Sequence, residues 1–135
     1  MLEKLSIEAL EAIFDTLPLD ITFVDEKDII RYYSKGDDAI FKRSPEIIGQ
    51  KVQDCHPQKS QPMVGQVISD LKSGRRDVIE SWIDRKGQKI HIRYFALRDK
   101  ARRYLGILEV VQDITDLQKI TGEKRSLEEL SPTNE

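Results

Sequence analysis

Apolar residues recur at Leu2, Leu5, Ala9, Ala12 and Ile13, with Glu and Lys between them. This helical spacing predicts an amphipathic helix over residues 1–16 that Pro18 ends. The pattern then changes to dense Ile, Val, Phe and Tyr in DITFVDEKDIIRYYS. That change predicts two short strands joined as a hairpin through the Asp-Glu-Lys-Asp turn. Short helical pieces follow Gly36. In one of them Ser44 is placed as N-cap, Pro45 as the first helical residue and Glu46 where its charge complements the dipole.

In QPMVGQVISDLKSG, the residues Met63, Val64, Val67, Ile68 and Leu71 form one helical face, and Gly74 stands where a C-terminal glycine belongs. Three strands follow. DVIESWIDR and KIHIRYFALRD flank a Lys86-Gly87 turn, a tight-hairpin signal, and RYLGILEVVQDIT comes after a charged loop near Lys100. From Asp116 a second terminal helix is expected, because Thr115 and Gln118 have capping-box spacing. Gly122 weakens that helix, and SPTNE reads as a frayed end. Strands joined mostly by hairpins imply an antiparallel sheet with helices gathered on one side, an α+β domain. The expected core is Phe23, Ile40, Phe41, Val67, Leu71, Trp82, Ile92 and Val111.

Composition narrows the function classes. The 135 residues suit one domain with a proper core. With 34% charged residues and a net charge of −2 there is no broad nucleic-acid footprint. No apolar run reaches the length of a membrane span, and no signal-peptide pattern precedes the first charges. A single cysteine makes no internal disulfide, so a cytoplasmic location is expected. One Cys and two His fall short of the roughly four ligands of a structural zinc site. A glycine-rich phosphate loop and a Ser-His-Asp spacing are both missing, so no enzyme is expected.

The order of elements and three phrases resemble the PAS sensor family over nearly the whole chain. SPEIIGQKV is similar to the segment leading out of that family's small helices, DRKGQKIHIRYFALRD to its central glycine hairpin, and LEVVQDIT to its closing strand. More narrowly, IFDTLPLDITFVDEKD, CHP and HIRYFALRD resemble the PAS module found after a hemerythrin-like helical domain in a prokaryotic family. The resemblance implies a five-stranded antiparallel sheet wrapped around an internal pocket. Residues 1–17 are then an N-terminal amphipathic helix, 18–115 the PAS domain, and 116–135 a C-terminal helix with a frayed tail.

On this resemblance the pocket is lined by His56, Met63, Val67, Trp82, Ile92, Tyr94 and Glu109. Matching the Gly87 hairpin to the family puts Val78, Glu80 and Trp82 on one face with Ile90, Ile92, Tyr94 and Ala96, joined by Ile107, Glu109 and Val111. The two glutamates then need partners, with Arg31, Lys59 or a cationic ligand as candidates; a register shifted by one residue instead turns both to solvent. His91, with Arg93 and Phe95, belongs to the opposite face. In VQDCHPQKS, His56 is a potential haem ligand, because haem-binding PAS domains take an axial histidine from this region and Cys55 offers a thiolate. The plainer reading, preferred here, is that His56 helps cap the following helix while Pro57 fixes its entry. Cys55 as a redox sensor lacks a resolving cysteine and a basic neighbourhood. Asp113 and Thr115 match the pair that couples the last strand to an output helix in this family.

Two functions follow as expectations. One is a sensory module that binds a small ligand of unknown identity and signals through association as a homodimer or with a partner protein. The other is a ligand-free scaffold for dimerisation or docking, in which Trp82, Tyr94 and Met63 fill the pocket. A haem-based gas or redox sensor ranks below both. With no output domain expected after residue 135, the signal is expected to leave through association with another subunit or protein, by way of the terminal helices. Their apolar stripes are Leu2, Leu5, Ala9 and Ala12, and Leu117, Ile120, Leu127 and Leu130.

Overall fold

A computed structural model describes residues 1–126. One five-stranded antiparallel sheet dominates it: β1 (Asp20–Asp25), β2 (Ile30–Tyr33), β3 (Val78–Arg85), β4 (Gln88–Arg98) and β5 (Tyr104–Asp113), in the spatial order β2-β1-β5-β4-β3. The expected α+β class and all five strands are present. Two α-helices accompany the sheet, α1 (Ile7–Thr16) and α2 (Gln61–Ser73), with short 3-10 turns between β2 and α2. No helix among the described residues is long and apolar enough to cross a membrane.

The β1–β2 hairpin is shaped by Asp25. Its Oδ1 accepts from the amides of Lys27 (2.9 Å) and Ile29 (3.0 Å), while Oδ2 accepts from Arg31 Nε at 2.7 Å. Burial opposes the carboxylate charge, yet Arg31 and the two amides outweigh it and hold the Asp25 pKa below its ordinary value. The open side of β2 is covered by residues 49–52: Ile30 donates to the Gln50 carbonyl, Gly49 to that of Ile30, and Ile29 bridges Lys51. At the opposite edge, Lys86 and Gly87 have φ of 52° and 79°, the left-handed pair that a two-residue hairpin loop requires.

The inner face of the sheet carries the core. Val24, Ile30, Ile107, Ile68 and Leu71 form its buried cluster, with Val64, Val67, Ile79, Tyr94 and Ala96 packed around them. Helix α2 lies on this face, and Gly74 ends it at φ 82° as expected. Of the eight expected core residues, Leu71 and Val111 are fully buried, and Val67 packs against the cluster. Trp82 does not belong to it. Glycine is required at Gly106, where φ is 144° and a Cβ would stand 2.1 Å from the Val24 carbonyl oxygen.

The N-terminus departs from the continuous helix expected over residues 1–16. Leu2–Lys4 forms a 3-10 turn, Leu5 is extended, and Ser6 starts α1 by accepting the Ala9 amide at 3.0 Å. A side-chain cap gives the backbone a new start here, and the apolar spacing did not reveal it. Helix α1 buries none of its residues; Phe14 meets Tyr32 of β2 with ring centroids 5.7 Å apart. A hollow of about 460 Å³ lies along Ala12, Ile13, Thr16, Leu17 and Pro18. The expected C-terminal helix is replaced at its start by a 3-10 turn at Leu117–Lys119, after which Ile120 is extended. Leu127 and Leu130 lie outside the described residues.

Leu71→Ala removes a fully buried side chain and is expected to cost about 2–5 kcal/mol in chemical denaturation. Gly106→Ala is expected to lower the unfolding temperature further than a surface Gly87→Ala control, because the new methyl group meets backbone.

Candidate functional site

Residues directly opposite one another in an antiparallel pair share a face. The β4–β5 register pairs Ile92 with Val111, Tyr94 with Glu109 and Ala96 with Ile107, so these six share the inner face as expected. Strand β1 brings Thr22 opposite Glu109, and β2 brings Tyr33 opposite Thr22. Tyr33, Thr22, Glu109 and Tyr94 therefore form a polar row across four adjacent strands.

Strand β3 breaks the expected pattern. Glu80 pairs with Arg93 and Trp82 with His91, so Val78, Glu80 and Trp82 lie on the outer face, with Ile79, Ser81 and Ile83 turned inward. Trp82 is 62% exposed and lines no inner pocket. Glu80 meets no buried cation among the described residues; its Oε2 lies 2.6 Å from His91 Nε2 on the outer surface. Met63 is also misplaced by the sequence reading: it is 75% exposed on the outer side of α2, and Val64 and Val67 supply the packed side.

The partner of Glu109 is Arg43, which the sequence reading did not single out. Arg43 Nη2 lies 3.5 Å from Glu109 Oε1 with its side chain only 9% exposed, and Nη1 donates to the Ile21 carbonyl at 3.3 Å. The guanidinium carbon stands 6.0 Å from the Tyr33 ring centroid. Arg31 instead serves Asp25, and Lys59 is exposed. No local pattern in FKRSP marks Arg43 as inward; the 3-10 turns that swing the segment over the sheet do so. Burial and then the nearby Glu109 charge push the Tyr94 phenol far above its ordinary value of 10. The Thr22 hydroxyl oxygen is buried without a hydrogen-bond partner among the described residues. Together these groups set a cation, a carboxylate and the hydroxyls of Thr22 and Tyr94 along one row of the inner face.

Cys55-His56-Pro57 sits on the surface. His56 is exposed, and its Nδ1–H donates to the Val52 carbonyl at 2.8 Å. It thus closes the preceding 3-10 turn, Val52–Cys55, and does not cap the helix that follows; Pro57 precedes the next turn, Gln58–Ser60. Burial and the neighbouring Asp54 raise the Cys55 pKa, the wrong direction for a reactive thiolate. Neither side chain is directed to the inner face, so these residues do not fit an axial haem ligand there. Among the described residues no group of three or more His, Cys, Asp or Glu is arranged to hold a metal ion.

The C-terminal joint is a relay. Thr115 Oγ1 donates to Asp113 Oδ1 at 2.5 Å and accepts the Lys89 amide at 2.8 Å, while the Thr115 amide donates to the same Asp113 oxygen at 2.9 Å. Ile114 donates to the Lys89 carbonyl. Thr115 therefore ties the end of β5 to the start of β4, and the expected cap on a following helix is not formed: the hydroxyl is spent on the sheet. Beside this joint, Trp82, Lys89, His91, Ile114 and Gln118 line an outer hollow of about 260 Å³.

A mixed inner face under small helices, closed by an Asp-Ile-Thr joint, defines a PAS-type sensor fold. The family model for the PAS domain matches residues 10–115, and the chain belongs to that family. The C-terminal domain of a Streptococcus mutans protein is 37% identical, with a TM-score of 0.81, covering 87% of this chain and 91% of that one. A PAS domain from Colwellia psychrerythraea is 19% identical at TM-score 0.59, covering 82% and 98%. A sensory box sensor histidine kinase from Vibrio cholerae is 14% identical at 0.54, covering 80% and 91%. The last two share the fold alone. No curated protein matches the chain.

Thr115→Ala leaves the Lys89 amide without its acceptor and is expected to cost about 1–2 kcal/mol, read as faster hydrogen exchange at Lys89. The hydrogen bonds from the Thr115 side chain and amide hold the Asp113 pKa below its ordinary 3.8. The stabilisation is therefore complete above that ordinary value and is lost as pH falls through the lowered one. Lys89 protection is expected to decline in that acid range in the wild type, and Asp113→Asn is expected to flatten the dependence.

Proposed function

We propose that this chain is a non-enzymatic sensory module, binding a small polar molecule on the inner face of its sheet and signalling by association with another protein chain. The observation that carries this reading is the row of Arg43, Glu109, Tyr94 and Thr22. It holds a long ion pair at 3.5 Å beside a buried hydroxyl with no partner. Buried polar groups are costly unless they are hydrogen-bonded. A ligand with both a donor and an acceptor completes the set: a partner for the Thr22 hydroxyl, an acceptor for Arg43 and a donor for Glu109.

Membership of the PAS family supports a sensory role, since PAS domains are typically sensory modules and not catalysts. A ligand-free scaffold was expected to fill its pocket with Trp82, Met63 and Tyr94. Only Tyr94 is on the inner face, which favours the ligand-binding reading. Asp113 and Thr115 are proposed to transmit the change, because they link β5, which carries Glu109, to β4, which carries Tyr94. The single exposed cysteine supports a cytoplasmic setting. The similarity to a C-terminal domain supports a place after another domain; that this neighbour is a hemerythrin-like helical domain is proposed on the narrower sequence resemblance alone.

Native mass spectrometry of the purified protein, with a visible absorption spectrum, tests the ligand. Wild type is expected to carry an additional small mass, or to gain thermal stability with a zwitterion, a carboxylate or a polyol, and Glu109→Gln is expected to lose that response while keeping its far-UV spectrum. A bare protein that responds to none of these compounds would remove the ligand reading and leave the scaffold. A Soret band abolished by His56→Ala would restore haem.

A further inference from the structure

The two edges of the sheet are treated differently. Residues 49–52 cover β2, but among the described residues nothing pairs with the open side of β3. Natural proteins protect such edges with proline, bulges, lysines or other charged side chains. Strand β3 has no proline, bulge or lysine, and its eight residues, VIESWIDR, run in unbroken register with β4; its charges, Glu80, Asp84 and Arg85, are ones that a pairing strand has to match. Large apolar side chains are exposed on both of its faces, Val78 and Trp82 outward and Ile83 inward.

The hydrogen-bonding capacity of this edge follows from the turn. A two-residue loop makes Arg85 and Gln88 the closing hydrogen-bonded pair, so the odd-numbered residues of β3 bond to β4. The Ala96 amide donating to the Asp77 carbonyl at 3.0 Å continues that phase. The even-numbered residues, Val78, Glu80, Trp82 and Asp84, therefore present their N–H and C=O groups at the open edge.

We infer that this edge pairs antiparallel with the same edge of a second copy, about a two-fold axis through Ser81. The inference specifies the partner and surface for the association half of the reading above. Hydrogen bonding across the axis requires even residues to meet even residues. Centring on Ser81 sets Glu80 opposite Trp82, Val78 opposite Asp84, Ile79 opposite Ile83, and Asp77 opposite Arg85, each pair occurring twice. That register brings apolar residues together on the inner face and joins opposite charges at both ends. Centring on Trp82 sets Glu80 against Asp84 twice, and centring on Glu80 sets the two Glu80 side chains against each other. Centring on Ile83 also avoids like charges but, as with Glu80, pairs only the nearer part of the strand. Of the two registers that pair all but one of its eight residues, centred on Ser81 and Trp82, only the Ser81 register avoids like charges. The product is a continuous ten-stranded sheet with both outer faces on one side.

Ser81 meets its symmetry mate in a pair not bonded to one another, where Cα atoms lie about 4.5 Å apart, inside disulfide range. In the full chain with Cys55→Ser, Ser81→Cys is expected to form a disulfide-linked dimer under mild oxidation, while Ser69→Cys on α2 does not. In sedimentation equilibrium, Asp77→Arg is expected to weaken the wild-type dimer roughly tenfold. Adding Arg85→Asp is expected to restore it, with circular dichroism confirming each fold. A dimer that neither crosslinks through position 81 nor responds to Asp77→Arg overturns the edge pairing while association stands. A wild-type chain that stays monomeric, with no crosslink, overturns both; the ligand reading is tested separately by its own mass measurement.

Discussion

Strand β5 is the member on which the architecture depends. It lies between β1 and β4, so the N-terminal hairpin joins the rest of the sheet only through the β1–β5 ladder, from Asp20 opposite Val111 to Asp25 opposite Gly106. That ladder forms late in the chain from residues far apart in sequence, and its tight end has room for no Cβ at Gly106. Once it forms, Val24 and Ile107 meet in the core, and Thr22 stands opposite Glu109. The polar row and the apolar cluster are both consequences of the same register. A slip by one residue would send every β5 side chain to the other face.

The fold was legible because periodicity and turn chemistry agreed. The hairpin signals, the Gly74 stop and the apolar face of α2 all specify local structure that tertiary contacts then reinforce. The facing of β3 was legible too, but from the turn alone. With Arg85 opposite Gln88, Trp82 must oppose His91 and Ile83 must oppose Ile90. Hydrophobicity misled the reading, since Val78, Ile79, Trp82 and Ile83 put apolar residues on both faces. A large aromatic on an edge strand need not point inward when the core is already closed by α2.

The polar partnerships were much less legible. Arg43 reaches Glu109 because 3-10 turns lay its segment across the sheet, and no spacing rule encodes that path. His56 turns back to Val52 instead of forward to the next helix, within reach of the same short turn. Thr115 has the sequence signature of a cap, yet Lys89 lies across the strand pair and takes its hydroxyl first. Side chains such as Ser and Thr choose between local and distant backbone partners. Sequence shows the local choice only.

Strands β4 and β5 carry one half of the inner row and also the residues that the joint ties together. Glu109 and Asp113 are on β5 and share its inward parity; Tyr94 and Lys89 are on β4. Asp113 lies four residue steps along the strand from Glu109, about 13 Å at the usual rise. A shift of β5 against β4 therefore changes the Tyr94–Glu109 pairing and the Thr115–Lys89 bond together, because neither can move without the ladder between them. The outer hollow lined by Lys89, His91 and Trp82 lies at the end of that ladder and reaches the open-edge strand β3 through Trp82. Glu109 is thus connected to β3 through two ladders of hydrogen-bonded strands, and in the proposed ligand reading that connection, not a mobile helix, is the route to the edge.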